Sequence, residues 1–193
     1  MPFNIRIIGS CAFASDTSIA GIYMGTSNNT KITGIYNGAF ANCKNMYPLD
    51  TNLQYRSLTT LKDEAFYGCT KWKMWHVAAE GETNAGNDNL RVIGTNAFVG
   101  CENLSIQALP GGLTEIGANA FQLAHASNQL NIHSGINKIG NNAFRGMKFD
   151  AGVQISFNLD LKDNYNYGKN IFAEAKTNEI AITVTTENAS SSY

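Results

Sequence analysis

Charge is scarce in this 193-residue chain. Lys and Arg number 14 and Asp and Glu 15, so charged residues make up 15%, against about 25% in an ordinary soluble domain. The formal net charge is −1. The basic footprint that neutralises a phosphate backbone is missing, so nucleic acid is not an expected partner. No apolar run approaches the roughly 20 residues that span a bilayer, and membrane insertion is not expected. Met1-Pro2-Phe3-Asn4-Ile5-Arg6 has no basic stretch leading into a long apolar one, so no secretion signal is expected in this numbering.

Recognisable site chemistry is equally sparse. The four cysteines never stand as Cys-x-x-Cys, which argues against a zinc site. The three histidines, His76, His125 and His133, have no His-x-x-x-His spacing and no nucleophile motif beside them. A nucleophile needs a base within hydrogen-bond reach, and none can be assembled here. Asp160, Asp163 and Asn164 lack the Gly and the closing Glu of a calcium loop. The expectation is a non-enzyme with no catalytic residue, no metal and no cofactor.

What the chain does have is a repeat. Ala-Phe recurs at Ala12-Phe13, Ala39-Phe40, Ala65-Phe66, Ala97-Phe98, Ala120-Phe121 and Ala143-Phe144, at steps of 27, 26, 32, 23 and 23 residues. A degenerate copy follows at Ile171-Phe172. Five residues before each Phe stands Ile8, Ile35, Leu61, Ile93, Ile116 or Ile139, and eight before it Ile5, Ile32, Leu58, Leu90, Leu113 or Ile136. Four before it is often glycine, as at Gly9, Gly94, Gly117, Gly140 and Gly168, with Tyr36 and Lys62 in the other copies. Three after it come Cys43, Cys69, Cys101, Ala124 and Met147, while the first copy has Asp16.

One such unit cannot bury its own apolar side, but stacked units can. Aliphatic residues three apart followed by Gly fit a short extended piece and a tight turn. Phe and Cys three apart fit one side of a single helical turn. Cys43, Cys69 and Cys101 are read as buried thiols in the stack, since free Cys behaves as a small hydrophobe, and no disulfide is expected. The uniform Ala before Phe implies a position too tight for a larger side chain. Residues 81–89 read as a polar loop, Ile180 to Thr185 as a closing strand, and the rest as a mobile tail. The domain reading is one solenoid over 1–186, with regular repeats over about 5–147 and a degenerate cap over about 150–186. The tail is then 187–193.

A second short strand follows each Phe turn. With Trp72, Met74, Leu104, Ile106, Leu130 and Ile132 inward, the alternating residues face out. The expected outward rows are Tyr47, Lys73, Ser105 and Asn131, and beside them Leu49, Trp75, Gln107 and His133. This ladder mixes aromatic, amide and imidazole groups, and exposed aromatics favour binding hot spots. Trp75→Ala is expected to abolish partner binding with little change in melting temperature.

Leu113-Thr114-Glu115-Ile116-Gly117-Ala118-Asn119-Ala120-Phe121, with residues 90–98 and 136–144, resembles the BspA-like (Treponema pallidum type) leucine-rich repeat. So does Gly100-Cys101-Glu102-Asn103-Leu104 followed by Ala108-Leu109-Pro110. The resemblance implies an α/β repeat: a curved, right-handed solenoid of about six to seven coils with short β-strands and single-turn helices. It also implies adhesion or surface recognition of a protein or glycan ligand at a cell surface or outside the cell. The other reading is a structural component of a larger assembly, such as a phage virion or an oligomeric spacer. Self-association through the solenoid ends is a further expectation.

Overall fold

The computed structural model describes residues 5–22, 32–48, 57–75, 89–106, 109–126, 130–150, 154–160, 166–176 and 181–187. The expected loop at 81–89 lies outside them except for Asn89, and the expected tail except for Glu187.

Short parallel strands stack in register. One seven-stranded sheet runs β1 (Ile7–Ile8), β3 (Gly34–Ile35), β5 (Thr60–Leu61), β7 (Val92–Ile93), β9 (Glu115–Ile116), β12 (Lys138–Ile139) and β15 (Asn166–Tyr167). A four-stranded sheet is ordered β13 (Lys148–Phe149), β10 (His125–Ala126), β8 (Ser105–Ile106) and β6 (Met74–Trp75). A third joins β11 (Leu130–Ile132), β14 (Gln154–Asp160) and β16 (Ala181–Glu187), and β2 (Gly21–Ile22) pairs with β4 (Tyr47–Pro48). The pairing is parallel throughout, as stacking of like units requires. The closing strand read at 180–185 is β16, paired with β14 over Gln154–Asp160.

The core is a set of columns. Ile35, Leu61, Ile93, Ile116 and Ile139 are fully buried, and so are Ala39, Ala65, Ala97, Ala120 and Ala143. Phe13, Phe40, Phe66, Phe98, Phe121, Phe144 and Phe172 form one aromatic stack, with ring centroids 5.1–5.5 Å apart and planes within 12° of parallel. The degenerate seventh copy thus continues the same axis. The ends differ from the middle. Ile5, Ile7 and Phe13 are exposed, whereas Phe172 is half-buried against Phe149 and Phe157. Trp72 is buried beside Phe66, and its indole Nε1 has no hydrogen-bond partner.

The expected single-turn helices are not there: among the described residues the Phe segments are turns. The reason lies in the backbone. Two residues in every unit take left-handed φ, two before and two after the Phe: Cys11 and Ser15, Gly38 and Asn42, Glu64 and Gly68, Asn96 and Gly100, Asn119 and Leu123, Asn142 and Gly146, Asn170 and Glu174. Asn and Gly tolerate that region best. Alternate N–H groups close i→i+3 turns, as Ala39 N to Tyr36 O and Ala41 N to Gly38 O. The N–H groups between them point to the next coil, as Phe40 N to Ala65 O and Asn42 N to Tyr67 O. A helix would direct all of them along its own axis.

The cysteine column is buried and free of disulfides, with Cys11 exposed outside it. Each buried thiol donates to the carbonyl of the Phe in the coil before its own: Cys43 Sγ to Phe13 O at 2.9 Å, Cys69 to Phe40 O at 3.0 Å, Cys101 to Phe66 O at 3.1 Å. Burial pushes the Cys69 thiol up to about 12 and that of Cys101 well above its usual value. Two predictions follow. In native buffer an alkylating reagent modifies Cys11 alone, and all four thiols react after denaturation without reductant; mass spectrometry counts the adducts. Above the unfolded thiol range near 9, the unfolded chain loses protons that the folded chain keeps. Stability therefore falls as pH rises from 9 towards 12, by up to about 1.4 kcal/mol per pH unit for each such thiol. Denaturant titrations of the chain and of Cys69→Ala should diverge in that window, with the chain losing more.

Candidate functional site

The seven-stranded sheet carries its aliphatic column inward and a row of mixed apolar and polar residues beside it. Thr60, Val92, Glu115 and Lys138 are Cα partners along that outer row, and Lys138 Nζ donates to the Glu115 carboxylate. Beside the row runs the glycine column. A Cβ on Gly94 would lie 2.5 Å from Asp63 N, one on Gly117 2.4 Å from Thr95 N, and one on Gly140 2.3 Å from Ala118 N. Glycine here lets each coil settle against the backbone of the one before. Without side chains the column forms a trough. It opens into a groove of about 520 Å³ lined by Ser10, Tyr36, Asn37, Lys62, Asp63, Val92, Gly94, Thr95, Glu115 and Gly117.

The groove mixes an aromatic wall with charges of both signs. Tyr36 and Lys62 occupy two places of the glycine column and stand up from its floor; Tyr36 is exposed and its ring leans over Gly34. The Asp63 carboxylate accepts the Thr95 N–H at 2.8 Å, which fixes it at the groove edge. Such a lane can hydrogen-bond a polar ligand and stack a ring against Tyr36. Among the described residues no cluster of His, Cys, Asp and Glu could hold a metal ion. Sequence reading assigned these glycines to turns and missed the lane. Its signal is that Gly recurs where neighbouring columns keep side chains.

The expected ladder is not brought into one row. Tyr47, exposed, lies in β4 of the two-stranded sheet. Lys73, exposed, precedes β6, and its carbonyl accepts the Ser105 N–H at 3.0 Å. Ser105 is half-buried in β8 and pairs with Met74 and His125. Trp75 pairs through its backbone with buried Ile106, one residue out of the expected register. Leu49 and Gln107 lie outside the described residues. Asn131 sits in the third sheet, where its Oδ1 accepts from Ser156 Oγ at 3.1 Å. His133 is half-buried: Nε2 donates to Pro110 O at 3.0 Å and Nδ1 accepts from Gly135 N at 3.2 Å, so both ring nitrogens are used within the fold. The separation has a local cause. His125 follows Ala124 directly and pairs with Ser105, so Leu130–Ile132 moves to a different sheet.

Comparison with known proteins gives a family model described as BspA type Leucine rich repeat region (6 copies), which matches residues 1–87 and 82–193. No curated protein matches the chain. A crystal structure of a leucine-rich repeat protein from Bacteroides ovatus is similar at 15% identity and a TM-score of 0.47, over 98% of this chain and 62% of that one.

Proposed function

The chain belongs to the BspA-type leucine-rich-repeat family, and from that premise we propose a non-catalytic module that binds a protein or glycan ligand in adhesion or surface recognition. The observation that carries this reading is the groove over the seven-stranded sheet, with its glycine floor, Tyr36 wall, and Lys62 and Glu115 rims. Solenoids use such extended faces for binding. The same reading takes the stack as a right-handed solenoid of six to seven coils, because parallel crossovers within one sheet are almost always right-handed. The ladder residues with exposed side chains, Tyr47, Lys73 and Asn131, lie on separate sheets or beside them and are secondary candidate contacts taken singly. The alternative reading is a structural component of a larger assembly.

The test is a glycan and matrix-protein array probed with the purified chain. Its hits are then titrated against Tyr36→Ala with Lys62→Glu and, separately, against Tyr47→Ala with Lys73→Ala. The groove pair should weaken binding tenfold or more, corresponding to about 1.4 kcal/mol, with the melting temperature nearly unchanged. Loss with the second pair alone would move the site to the other strands. An array with no hits would remove the binding reading.

A further inference from the structure

The groove carries more chemistry than the coils need. Asp63 Oδ1 accepts the Thr95 N–H at 2.8 Å, and three coils on, in the same place of the repeat, Asn141 Oδ1 accepts the Lys169 N–H at 2.7 Å. A neutral amide is thus enough to tie one coil to the next, and the charge at Asp63 is surplus to that task. Tyr36 and Lys62 are the two places where the glycine column carries a side chain; they are on adjacent coils and both line the groove. The outer row of the sheet has its own exception. Ile7, Thr60, Val92, Glu115, Lys138 and Asn166 carry side chains there, whereas Gly34 is bare. A Cβ on Gly34 would meet Tyr36 Cε1 at 2.9 Å, so the missing side chain makes room for the ring. Gly34 is buried and Tyr36 is 37% exposed, which seats the ring on the sheet and leaves part of its surface to solvent.

We propose that the groove binds a short neutral oligosaccharide, with one sugar ring stacked on Tyr36 and hydroxyls held by Asp63 and Glu115; this rests on the binding reading above and narrows it to a ligand class. Lys138 Nζ holds Glu115 through Oε1, as the Thr95 N–H holds Asp63 through Oδ1. Each carboxylate is anchored by one oxygen and keeps the other for a hydroxyl donor, the group a sugar has in abundance. Lys62 and Asn37 supply donors for the sugar's own oxygens. Lys62 and Lys138 balance Asp63 and Glu115, so no net field selects an ionic ligand. Size agrees, since about 520 Å³ lies within the range of small-ligand sites. Tyr36 and Gly94 are two coils apart, roughly 9–10 Å at the usual strand spacing, which suits a short chain of rings. A peptide fits less well. It adds to a sheet through main-chain bonds at a free edge, whereas the groove lies on a sheet face. The Gly94 and Gly117 N–H groups are already spent on Leu61 O at 2.8 Å and Ile93 O at 2.7 Å.

The experiment is calorimetric titration of the full 193-residue chain with linear neutral di- to hexasaccharides of hexose and N-acetylhexosamine. A sulfated glycan and a deglycosylated matrix protein are titrated in parallel. A neutral oligosaccharide should bind, with an affinity little changed by added salt because no ion pair forms. Tyr36→Ala should weaken that binding about tenfold, and Tyr36→Phe, which restores the ring, should recover most of the loss. Asp63→Asn should also weaken it about tenfold. Its melting temperature should stay with the parent's, because Asn141 already makes the same inter-coil bond. Asp63→Asn keeps the test decisive if Tyr36→Ala does not fold. Neutral sugars that bind both variants as they bind the parent overturn the proposal, since the site would lie elsewhere. Binding confined to the sulfated glycan or to the deglycosylated protein overturns it too. If that binding is lost in the chain carrying Tyr36→Ala with Lys62→Glu, the groove reading stands and only the ligand class falls. A chain that binds none of the probes overturns both.

Discussion

Phe98→Ala should lower the free energy of unfolding by about 3–5 kcal/mol, the cost of emptying a large aromatic site in a close-packed interior. Phe98 is fully buried, with Phe66 stacked on one side at 5.5 Å and Phe121 on the other at 5.4 Å. Its own N–H also hands a bond to Ala120. Removing the ring interrupts the column midway, where each coil is held only by its two neighbours. Phe13→Ala is the control: that ring is 38% exposed and stacks on one side, on Phe40. Its loss should cost about half as much or less, since less apolar area returns to water. A loss of 3–5 kcal/mol is a large share of the 5–15 kcal/mol typical of a domain. Denaturant unfolding is therefore read at low temperature, with Phe98→Leu expected to stay within about 1.5 kcal/mol of the parent. Equal losses for Phe98→Ala and Phe13→Ala would mean that the stack is not what stabilises the fold.

Gly140→Ala should destabilise by about 1–3 kcal/mol or more, although it adds a single methyl group. The added carbon would sit 2.3 Å from Ala118 N and 2.7 Å from Ala118 Cα, both backbone atoms that can yield only if the coils part. Gly9→Ala adds the same group where nothing lies within 4 Å, and should be neutral or slightly stabilising because it restricts the unfolded chain. Thermal melts of the two variants side by side decide the matter. The contrast also bears on the groove, because the same close approach recurs at Gly94 and Gly117, which line it. A Gly140→Ala chain as stable as its parent would show that the coils part there at no cost.

The columns were legible in the chain because they depend only on which residues recur. Ile93, Ala97, Phe98 and Cys101 are each the local instance of a repeating demand for an apolar group of one size. The glycine trough was only half legible. A turn explains a Gly from its own chain, whereas the constraint at Gly117 comes from Thr95 on the neighbouring coil. The ladder through Tyr47, Trp75 and His133 failed for a related reason. In strands of two or three residues side-chain alternation carries little information, and Ser105 N bonding to Lys73 O fixes the pairing.

The amino-acid order alone settled the stacked-repeat architecture, the Phe axis and the burial of three thiols, because hydrophobic burial rewards any apolar residue that recurs at the period of the coil. Only the folded molecule decided that the Phe segments are turns and which strands share a sheet. Both depend on where a backbone N–H finds its acceptor, and here the acceptor lies one coil away, a distance along the chain that local preference does not encode.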